Sequence, residues 1–187
     1  MRGDIKLSII VPYHNEDDSV IFPLFNSLNN QIDINFDDIE IIVSNNCEIP
    51  VPPKSLFDGT FPNIQNRIKY IISPIKNISG ASRQFGVDKS SGKYLMFCDD
   101  DDILPAPDVL HYIVCIILQR KDVDVFRFYE NIQSEDLSFH KFASHDILIH
   151  GKIFSSDFIK RHNITFSNTL DVAEDNYYCN HVFSYNF

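Results

Sequence analysis

Four consecutive aspartates, Asp99 to Asp102, directly follow the apolar run of residues 94–98. Adjacent carboxylates repel one another by about 1 kcal/mol per pair at 4 Å in water, so a counter-charge must offset that repulsion. A solvated loop explains an acidic run taken alone. This apolar run, however, predicts a strand buried on both faces, and open α/β sheets bind ligands at the carboxyl ends of such strands. The pattern therefore favours a hard divalent cation whose shell is completed by water and phosphate oxygens.

Polar and turn-forming residues also follow two earlier apolar runs, residues 5–11 and 39–43, which could form strands parallel to this one. They are Pro12, Tyr13, Asn15, Glu16, Asn45 and Asn46. A turn explains Pro12 and Asn15 equally well, whereas the amides of Asn45 and Asn46 could also hydrogen-bond a nucleobase or a ribose. Arg83 lies near the start of a predicted helix, where a guanidinium suits a phosphate or a carboxylate. Together these residues would converge with the Asp run on one edge of a sheet.

The elements that would position these residues alternate between strands and helices. Apolar runs predict strands at residues 5–11, 39–43, 67–72, 94–98 and 123–129. Capping residues and apolar periodicity predict helices at residues 18–30, 79–90 and 107–119. This alternation favours right-handed crossovers between parallel strands. The predicted fold class is α/β, with an open, mostly parallel twisted sheet flanked by helices.

The remaining segments have a looser pattern. Residues 47–61 carry several prolines and predict an irregular loop with at most one helical turn. Short strands are predicted at residues 139–142 and 147–149, and helices at residues 156–162 and 174–183. With 187 residues, the chain is long enough for one domain with a substantial core and too short for two comfortable ones.

Composition excludes several classes of partner and setting. The net charge is −10, from 16 Lys plus Arg against 26 Asp plus Glu, so we expect no nucleic-acid partner. The most apolar stretch, residues 111–118, is too short to span a membrane, and the first residues lack a signal-peptide core. No Cys-x-x-Cys pair suggests a zinc site or a disulfide framework, and we expect a cytoplasmic, reducing setting. The cysteines are Cys47, Cys98, Cys115 and Cys179.

Six segments, taken in order, resemble the family 2 glycosyltransferases, the large inverting group with the GT-A fold. They are residues 8–16 (SIIVPYHNE), 40–43 (EIIV), 80–87 (GASRQFGV), 92–102 (GKYLMFCDDDD), 151–154 (GKIF) and 174–175 (ED). The resemblance covers nearly the whole chain. It implies a single GT-A domain, with a nucleotide-sugar-binding part at about residues 1–105 and an acceptor-side part at about residues 106–187. The chain is also compatible with one module of a longer protein that has further domains.

The resemblance implies roles for particular residues. The residues after the first two strands, with Arg83, Asp99 and Asp100, would bind the nucleotide of a UDP-linked sugar. Asp101, helped by Asp99 and Asp102, would hold Mn²⁺ or Mg²⁺. The Glu174–Asp175 pair would be the catalytic acids, with Asp175 as the base that deprotonates a hydroxyl of a glycan or another acceptor.

Two features of the chain depart from the family pattern or fit a simpler explanation. Asn45 and Asn46 replace the acidic pair usual after the second strand, which retains hydrogen bonding but removes charge. Glu174 and Asp175 also fit an ordinary helix amino terminus, where the helix dipole favours acidic side chains.

Two other functions stay open at this point. A sugar nucleotidyltransferase would share the sheet and the metal, although no glycine-rich phosphate loop with a following Arg and Lys lies near the amino terminus. A non-catalytic module that binds nucleotide sugars within a larger assembly would keep the Asp run and lack turnover.

In a glycosyltransferase, Lys152 or Arg83 could assist the departing diphosphate, and His150 could contact the acceptor.

Overall fold

A computed structural model describes residues 4–133, 139–143, 148–170 and 173–185. Its main feature is a six-stranded sheet in the order β3-β2-β1-β4-β8-β5. The strands of this sheet are β1 (Leu7–Tyr13), β2 (Ile39–Asn45), β3 (Ile68–Ile72), β4 (Tyr94–Phe97), β5 (Val125–Arg127) and β8 (Lys152–Ser155). The first four are mutually parallel, and β8 is antiparallel to both β4 and β5. A separate two-stranded antiparallel sheet contains β6 (Tyr129–Gln133) and β7 (Phe139–Ala143).

Five α-helices accompany these strands within the described residues. They are α1 (Asp18–Asn29), α2 (Ser79–Lys89), α3 (Val109–Gln119), α4 (Ser156–Arg161) and α5 (Glu174–Phe183). Helix α1 begins after Asp17, whose side chain accepts a hydrogen bond from the backbone N–H of Ser19. This N-cap satisfies one of the N–H groups that a first helical turn leaves unpaired. No helix among the described residues has the length and the continuous apolar character needed to cross a bilayer.

The central strand β1 separates two hydrophobic cores. Leu7, Ile9 and Val11 face the core that includes buried residues of α1 and α3. Ile10 faces the second core, which includes buried residues of α4 and α5. In that second core Tyr178 of α5 stacks on Phe166 with ring centroids 4.0 Å apart. Since successive strand residues point to opposite faces, this alternation fixes which helices lie on each side of β1.

Pro12 lies inside β1, although the sequence predicted that the strand would end before it. Pro12 pairs with Ser44 of β2, but the pairing of β1 with β4 stops at Ile10 and Phe97. The missing N–H of a proline is tolerated where one side of a strand has no partner. This local loss of pairing lets β1 extend to Tyr13 and brings its end to the edge of the sheet.

The α/β class and the parallel part of the sheet are confirmed, and the main differences lie after residue 120. The predicted strand at 123–129 is divided between β5 and the start of β6. The strand predicted at 147–149 is wrong for residues 148 and 149, and residue 147 lies outside the described residues. The strand in this region is β8, which follows Gly151 in a left-handed conformation, with φ +63°. Helix α3 begins two residues after the predicted start at 107.

A buried carboxylate stabilises the opposite, amino-terminal edge of the sheet. Glu40 is 3% exposed and accepts hydrogen bonds from Ser8 Oγ and the Ser91 N–H, each at 2.6 Å. It also pairs with Lys69. Burial opposes ionisation of Glu40, but these partners outweigh it and lower the pKa of this carboxyl below its usual range.

Candidate active site

A cavity of about 270 Å³ lies at the carboxyl ends of β1, β2 and β4. Its lining residues are Pro12, Tyr13, His14, Glu16, Asn46, Ser79, Arg83, Asp99, Asp100 and Asp101. The structure therefore brings together most of the residues predicted to bind a nucleotide, at the edge where the sequence placed them. His14 and Ser79 line the cavity as well and were not predicted. For His14, the only signal in the sequence was its position inside the segment 8–16.

The Asp run forms a tight turn directly after β4. The Cys98 N–H still donates to Ile10 O at 3.1 Å, and the turn closes with a bond of 3.1 Å from the Asp102 N–H to Asp99 O. The Asp102 carboxylate accepts from the Asp99 N–H at 2.9 Å. Burial is the main cause that raises the pKa of Asp102. Asp102 thus caps the turn, while the cavity is lined by the three aspartates before it.

Arg83 connects the Asp run to the start of α5. It is 5% exposed, and its two terminal nitrogens bind Asp99 Oδ1 and Glu174 Oε1, each at 2.6 Å. Its Nε lies 3.9 Å from Asp175 Oδ1. Charged hydrogen bonds of this length are strong, and the fork of a guanidinium fixes their directions. A single cation therefore holds the predicted nucleotide-binding and catalytic segments together.

Gly80 permits this close approach of α2 to α5. A Cβ at this position would lie 2.6 Å from Ser167 O and 3.1 Å from the Glu174 Cβ. Gly80 and Arg83 are three residues apart, so they share one face of α2. The segment 80–87 in which the family resemblance was noted therefore contains both the close contact and the cation.

His150 binds Asp99, and its contact with an acceptor stays a prediction. Its Nε2 is 3.0 Å from Asp99 Oδ2 and 4.0 Å from Asp102 Oδ2. The bond to Asp99 raises the pKa of His150 to about 9, although burial opposes this. Burial also opposes ionisation of Asp99, but the His150 bond and the Arg83 charge lower its pKa to about 2. At neutral pH, Asp99 is thus an anion between two cations.

Asp100 and Glu16 face each other across the cavity. Burial, a hydrogen bond with Glu16 and the Glu16 charge raise the pKa of Asp100 to about 8. Glu16 is held in place because its Oε2 accepts from the His14 N–H at 2.7 Å and its carbonyl accepts from the Tyr13 hydroxyl at 2.9 Å. The raised pKa favours the protonated form of Asp100, which reduces the repulsion between these two acids.

Asp101 is exposed and makes no hydrogen bond or ion pair within the described part of the chain. Its carboxylate lines the cavity beside Asp99 and Asp100. Mg²⁺ and Mn²⁺ are commonly held by one or two carboxylates together with substrate phosphates and water. The residues present fit such an ion, although no three His, Cys, Asp or Glu side chains of the described residues form a ready-made metal site.

Asn45 and Asn15 hold a loop and do not line the cavity. The buried Asn45 amide donates to Asn15 Oδ1 at 2.6 Å and to the Tyr70 hydroxyl at 2.8 Å. Asn15 has a left-handed backbone, with φ +60°, and binds the backbones of Ile49 and Val51. Direct nucleotide contacts by these two amides stay a prediction. Asn46 does line the cavity, where its Oδ1 bonds His14 Nδ1 at 2.8 Å.

Asp175 turns one carboxylate oxygen inward and the other outward. Its Oδ1 is buried and has no hydrogen-bond partner among the described residues, and its Oδ2 accepts from the Ile149 N–H at 3.4 Å. The side chain is 15% exposed, so Oδ2 is the more accessible oxygen.

Lys152 is only 1% exposed, does not line the cavity and donates to Leu148 O.

A larger concavity of about 430 Å³ lies at the opposite, amino-terminal edge of the sheet. It is lined by residues such as Lys6, Lys93, Lys121 and Lys160. None of the residues predicted to bind a nucleotide or a metal, or to act in catalysis, lines it. The smaller cavity at the strand ends is therefore the candidate active site, because titratable groups with perturbed pKa values cluster there.

Comparison with known proteins places these features in a family. The model of the glycosyl transferase family 2 matches residues 8–174. A curated relative is GalNAc(5)-diNAcBac-PP-undecaprenol beta-1,3-glucosyltransferase of Campylobacter jejuni, which is 34% identical over 106 residues. That match covers 53% of this chain and 30% of the relative.

Two solved structures have the same fold. S. aureus TarS 1-349 in complex with UDP-GlcNAc has a TM-score of 0.71 and 19% identity, with 95% of this chain and 53% of that chain covered. Mannosyltransferase PcManGT from Pyrobaculum calidifontis, in complex with GDP-Man and Mn²⁺, has a TM-score of 0.68 and 15% identity, with 92% and 50% covered. The chain thus spans about a third of the curated relative and about half of these solved chains. Since the family model extends from β1 to the first residue of α5, this chain belongs to glycosyl transferase family 2.

Proposed function

We propose that this chain is the catalytic domain of a metal-dependent glycosyltransferase that transfers a sugar from a UDP-linked donor to an acceptor hydroxyl, with inversion at the anomeric carbon. The observation that carries the proposal is the junction at Arg83, which joins Asp99 of the Asp run to the Glu174–Asp175 pair. The residues that we assign to the donor site and to the base thus contact the same side chain, in a chain of family 2. The names of the related proteins support a sugar-nucleotide donor, since one complex contains UDP-GlcNAc and another GDP-Man with Mn²⁺.

On the donor side, Asp101 would hold Mn²⁺ or Mg²⁺. When bound, such an ion supplies Lewis-acid stabilisation of the diphosphate that leaves. Asp99 is fixed by Arg83 and His150, so its carboxylate presents a constant geometry beside the donor. Asp100 lines the cavity beside Asp101, where its carboxyl group could hydrogen-bond a ribose hydroxyl of the donor.

On the acceptor side, Asp175 would act as the general base through its accessible Oδ2. The acceptor oxygen forms a bond to the anomeric carbon, the bond from that carbon to the diphosphate oxygen breaks, and UDP leaves with the electron pair. The proton of the acceptor hydroxyl passes to Asp175. Inversion requires the acceptor to approach from the face opposite the diphosphate. The segment assigned to the diphosphate contacts Arg83 through Asp99, at NH2. The base, Asp175, lies beside a different nitrogen of Arg83, Nε.

Calorimetric titration with UDP in Mn²⁺ and in EDTA tests the donor site. We expect affinity to differ at least about tenfold, or about 1.4 kcal/mol, because otherwise the diphosphate would face the Asp run without a counter-charge. Equal affinities in the two buffers would contradict metal dependence, and the absence of UDP binding in both would contradict a UDP donor.

A panel of nucleotide sugars then tests turnover. Release of UDP from a UDP-sugar, with water as the acceptor, is expected with a divalent ion present. Binding of UDP-sugars without any release of UDP would favour the non-catalytic binding module. Formation of a nucleotide sugar from a sugar phosphate and UTP would instead indicate a sugar nucleotidyltransferase.

A further inference from the structure

We infer that Glu174 is a positioning residue for Asp175 that acts through Arg83, and that it is not a second proton acceptor. The inference rests on the proposed function, in which Asp175 is the base. It assigns distinct roles to two adjacent carboxylates that the sequence treats as one catalytic pair.

The carboxylate of Glu174 is bound to Arg83 and lies against α2. Its Oε1 binds the NH1 group of Arg83 at 2.6 Å, and its side chain is 12% exposed. Neither Glu174 nor Asp175 is among the residues that line the cavity, but Glu174 Oε1 is bound by Arg83 whereas Asp175 Oδ2 is accessible. The close approach at Gly80, 3.1 Å from a Cβ there to the Glu174 Cβ, keeps Glu174 against α2. A carboxylate in this place cannot reach an acceptor at the strand ends without leaving Arg83.

The start of α5 depends on this contact. Ala173 precedes the helix in a left-handed conformation, with φ +64°, and provides no side-chain cap. Glu174 and Asp175 are the acids of the first turn, and successive helical residues point about 100° apart. With Glu174 on Arg83, the direction of Asp175 is fixed, so that its Oδ1 faces Arg83 Nε at 3.9 Å and its Oδ2 stays accessible.

The arrangement of the guanidinium explains why loss of Glu174 would matter. NH2 is bound to Asp99, NH1 is bound to Glu174, and Nε has no hydrogen-bond partner in the part of the chain that the structure describes. A neutral residue in place of Glu174 holds NH1 less strongly, since an amide oxygen accepts a weaker hydrogen bond than a carboxylate does, and Asp175, the other acid of α5, can then compete for NH1. A base that becomes a close partner of Arg83 is a poorer proton acceptor and turns away from the acceptor. The contact between Arg83 and Asp99 is unchanged, so the donor site is preserved.

Glu174→Gln tests the inference because it keeps size and removes charge. With UDP-GlcNAc and water as the acceptor, we expect kcat for UDP release to fall about tenfold while KM for UDP-GlcNAc changes less than about twofold. Glu174→Asp keeps the charge on a shorter side chain and should restore part of kcat. Asp157→Asn is the matched control, since Asp157 is a first-turn acid of α4 that makes no ion pair in the described part of the chain, and it should leave kcat unchanged.

The decisive variant combines Glu174→Gln with Asp175→Asn. A residue that acts only by positioning the base has no effect once the base is lost, so the double variant should be as slow as Asp175→Asn alone. A further loss of about tenfold in the double variant would overturn the inference, because Glu174 would then act independently. An equal rise of KM and fall of kcat in Glu174→Gln would also overturn it, by showing a damaged donor site. If Asp175→Asn itself has wild-type kcat, the base assignment in the proposed function fails instead.

Discussion

Replacing Arg83 with methionine should destabilise the protein much more than any single exposed ion pair would. Methionine keeps most of the length and apolar volume of arginine but removes the charge and all donors. Two side chains lose a hydrogen-bonded cation, Asp99 with 28% and Glu174 with 12% of the side chain exposed, and Asp175 loses a cation at 3.9 Å. Removing one partner of a buried ion pair typically costs 3–5 kcal/mol. We expect about 3 kcal/mol for this variant, the low end of that range, because Asp99 retains His150 as a partner.

Arg67→Met is the matched control for this experiment. Arg67 pairs with Asp37, and their side chains are 24% and 64% exposed, so solvent screens most of their interaction. Exposed pairs of this kind contribute up to about 1 kcal/mol. Urea unfolding of both variants at pH 7 measures the difference in their free energies of unfolding. That difference follows from the shift of the unfolding midpoint when the slope m is unchanged. In a chain of 187 residues, about 3 kcal/mol corresponds to a fall in Tm of roughly 6–12 °C.

A double-mutant cycle connects this loss of stability to the Arg83–Glu174 contact. If the 2.6 Å contact is strong, Glu174→Gln should cost much less in the Arg83→Met background than in the wild type, with a coupling of about 1–3 kcal/mol. The reasoning is refuted if Arg83→Met costs no more than Arg67→Met. It is equally refuted if the two substitutions at the site are additive, since the buried charges would then not depend on each other.

Three further predictions concern single carboxylates. Asp101→Asn should weaken Mn²⁺-dependent UDP binding far more than Asp102→Asn, because the Asp102 carboxylate already caps the turn. If calorimetry shows the reverse order, the metal-binding carboxylate is Asp102, one residue later. Asp175→Asn should leave UDP affinity nearly intact and reduce sugar transfer by roughly 10² or more; wild-type transfer would exclude Asp175 as the base. Glu40, whose pKa in the folded protein lies below its ordinary value of 4.5, contributes stability that is present above pH 4.5 and lost as pH falls further. Urea unfolding should therefore show a steeper loss below pH 4.5 in the wild type than in Glu40→Gln, and parallel curves would mean that the Lys69 pair does not stabilise the fold.

The parallel strands could be predicted because their signals are local. β1 and β2 each contain the apolar run Ile-Ile-Val and β4 is Tyr-Leu-Met-Phe, and a run of this kind is buried on both faces wherever helices cover a sheet. β8 could not be predicted in the same way. It has only four residues, Lys152–Ser155, and it is a strand because it fits between β4 and β5, which is a property of distant segments.

The same distinction applies to the candidate site. The position of the Asp run followed from the strand before it, since the end of a strand fixes where the next residues lie. The partners of Arg83 did not follow, because Glu174 is 91 residues away and no local pattern specifies the pair. Asn45 illustrates a different limit. Its residue type correctly indicates a hydrogen-bonding side chain, but only the structure shows that Asn15 and Tyr70 already occupy its amide.

Three of the four consecutive aspartates have their charge compensated in different ways. Asp99 is neutralised by Arg83 and His150, Asp102 accepts a backbone hydrogen bond within the turn, and the raised pKa of Asp100 beside Glu16 favours its protonated form. Only Asp101 lacks a compensating partner among the described residues, and it lines the cavity. The repulsion that the sequence predicts for the run is thus relieved inside the protein at three positions. A divalent ion that bridges Asp101 to a diphosphate would relieve it at the fourth, which is why the proposed metal requirement rests on one carboxylate rather than on the whole run.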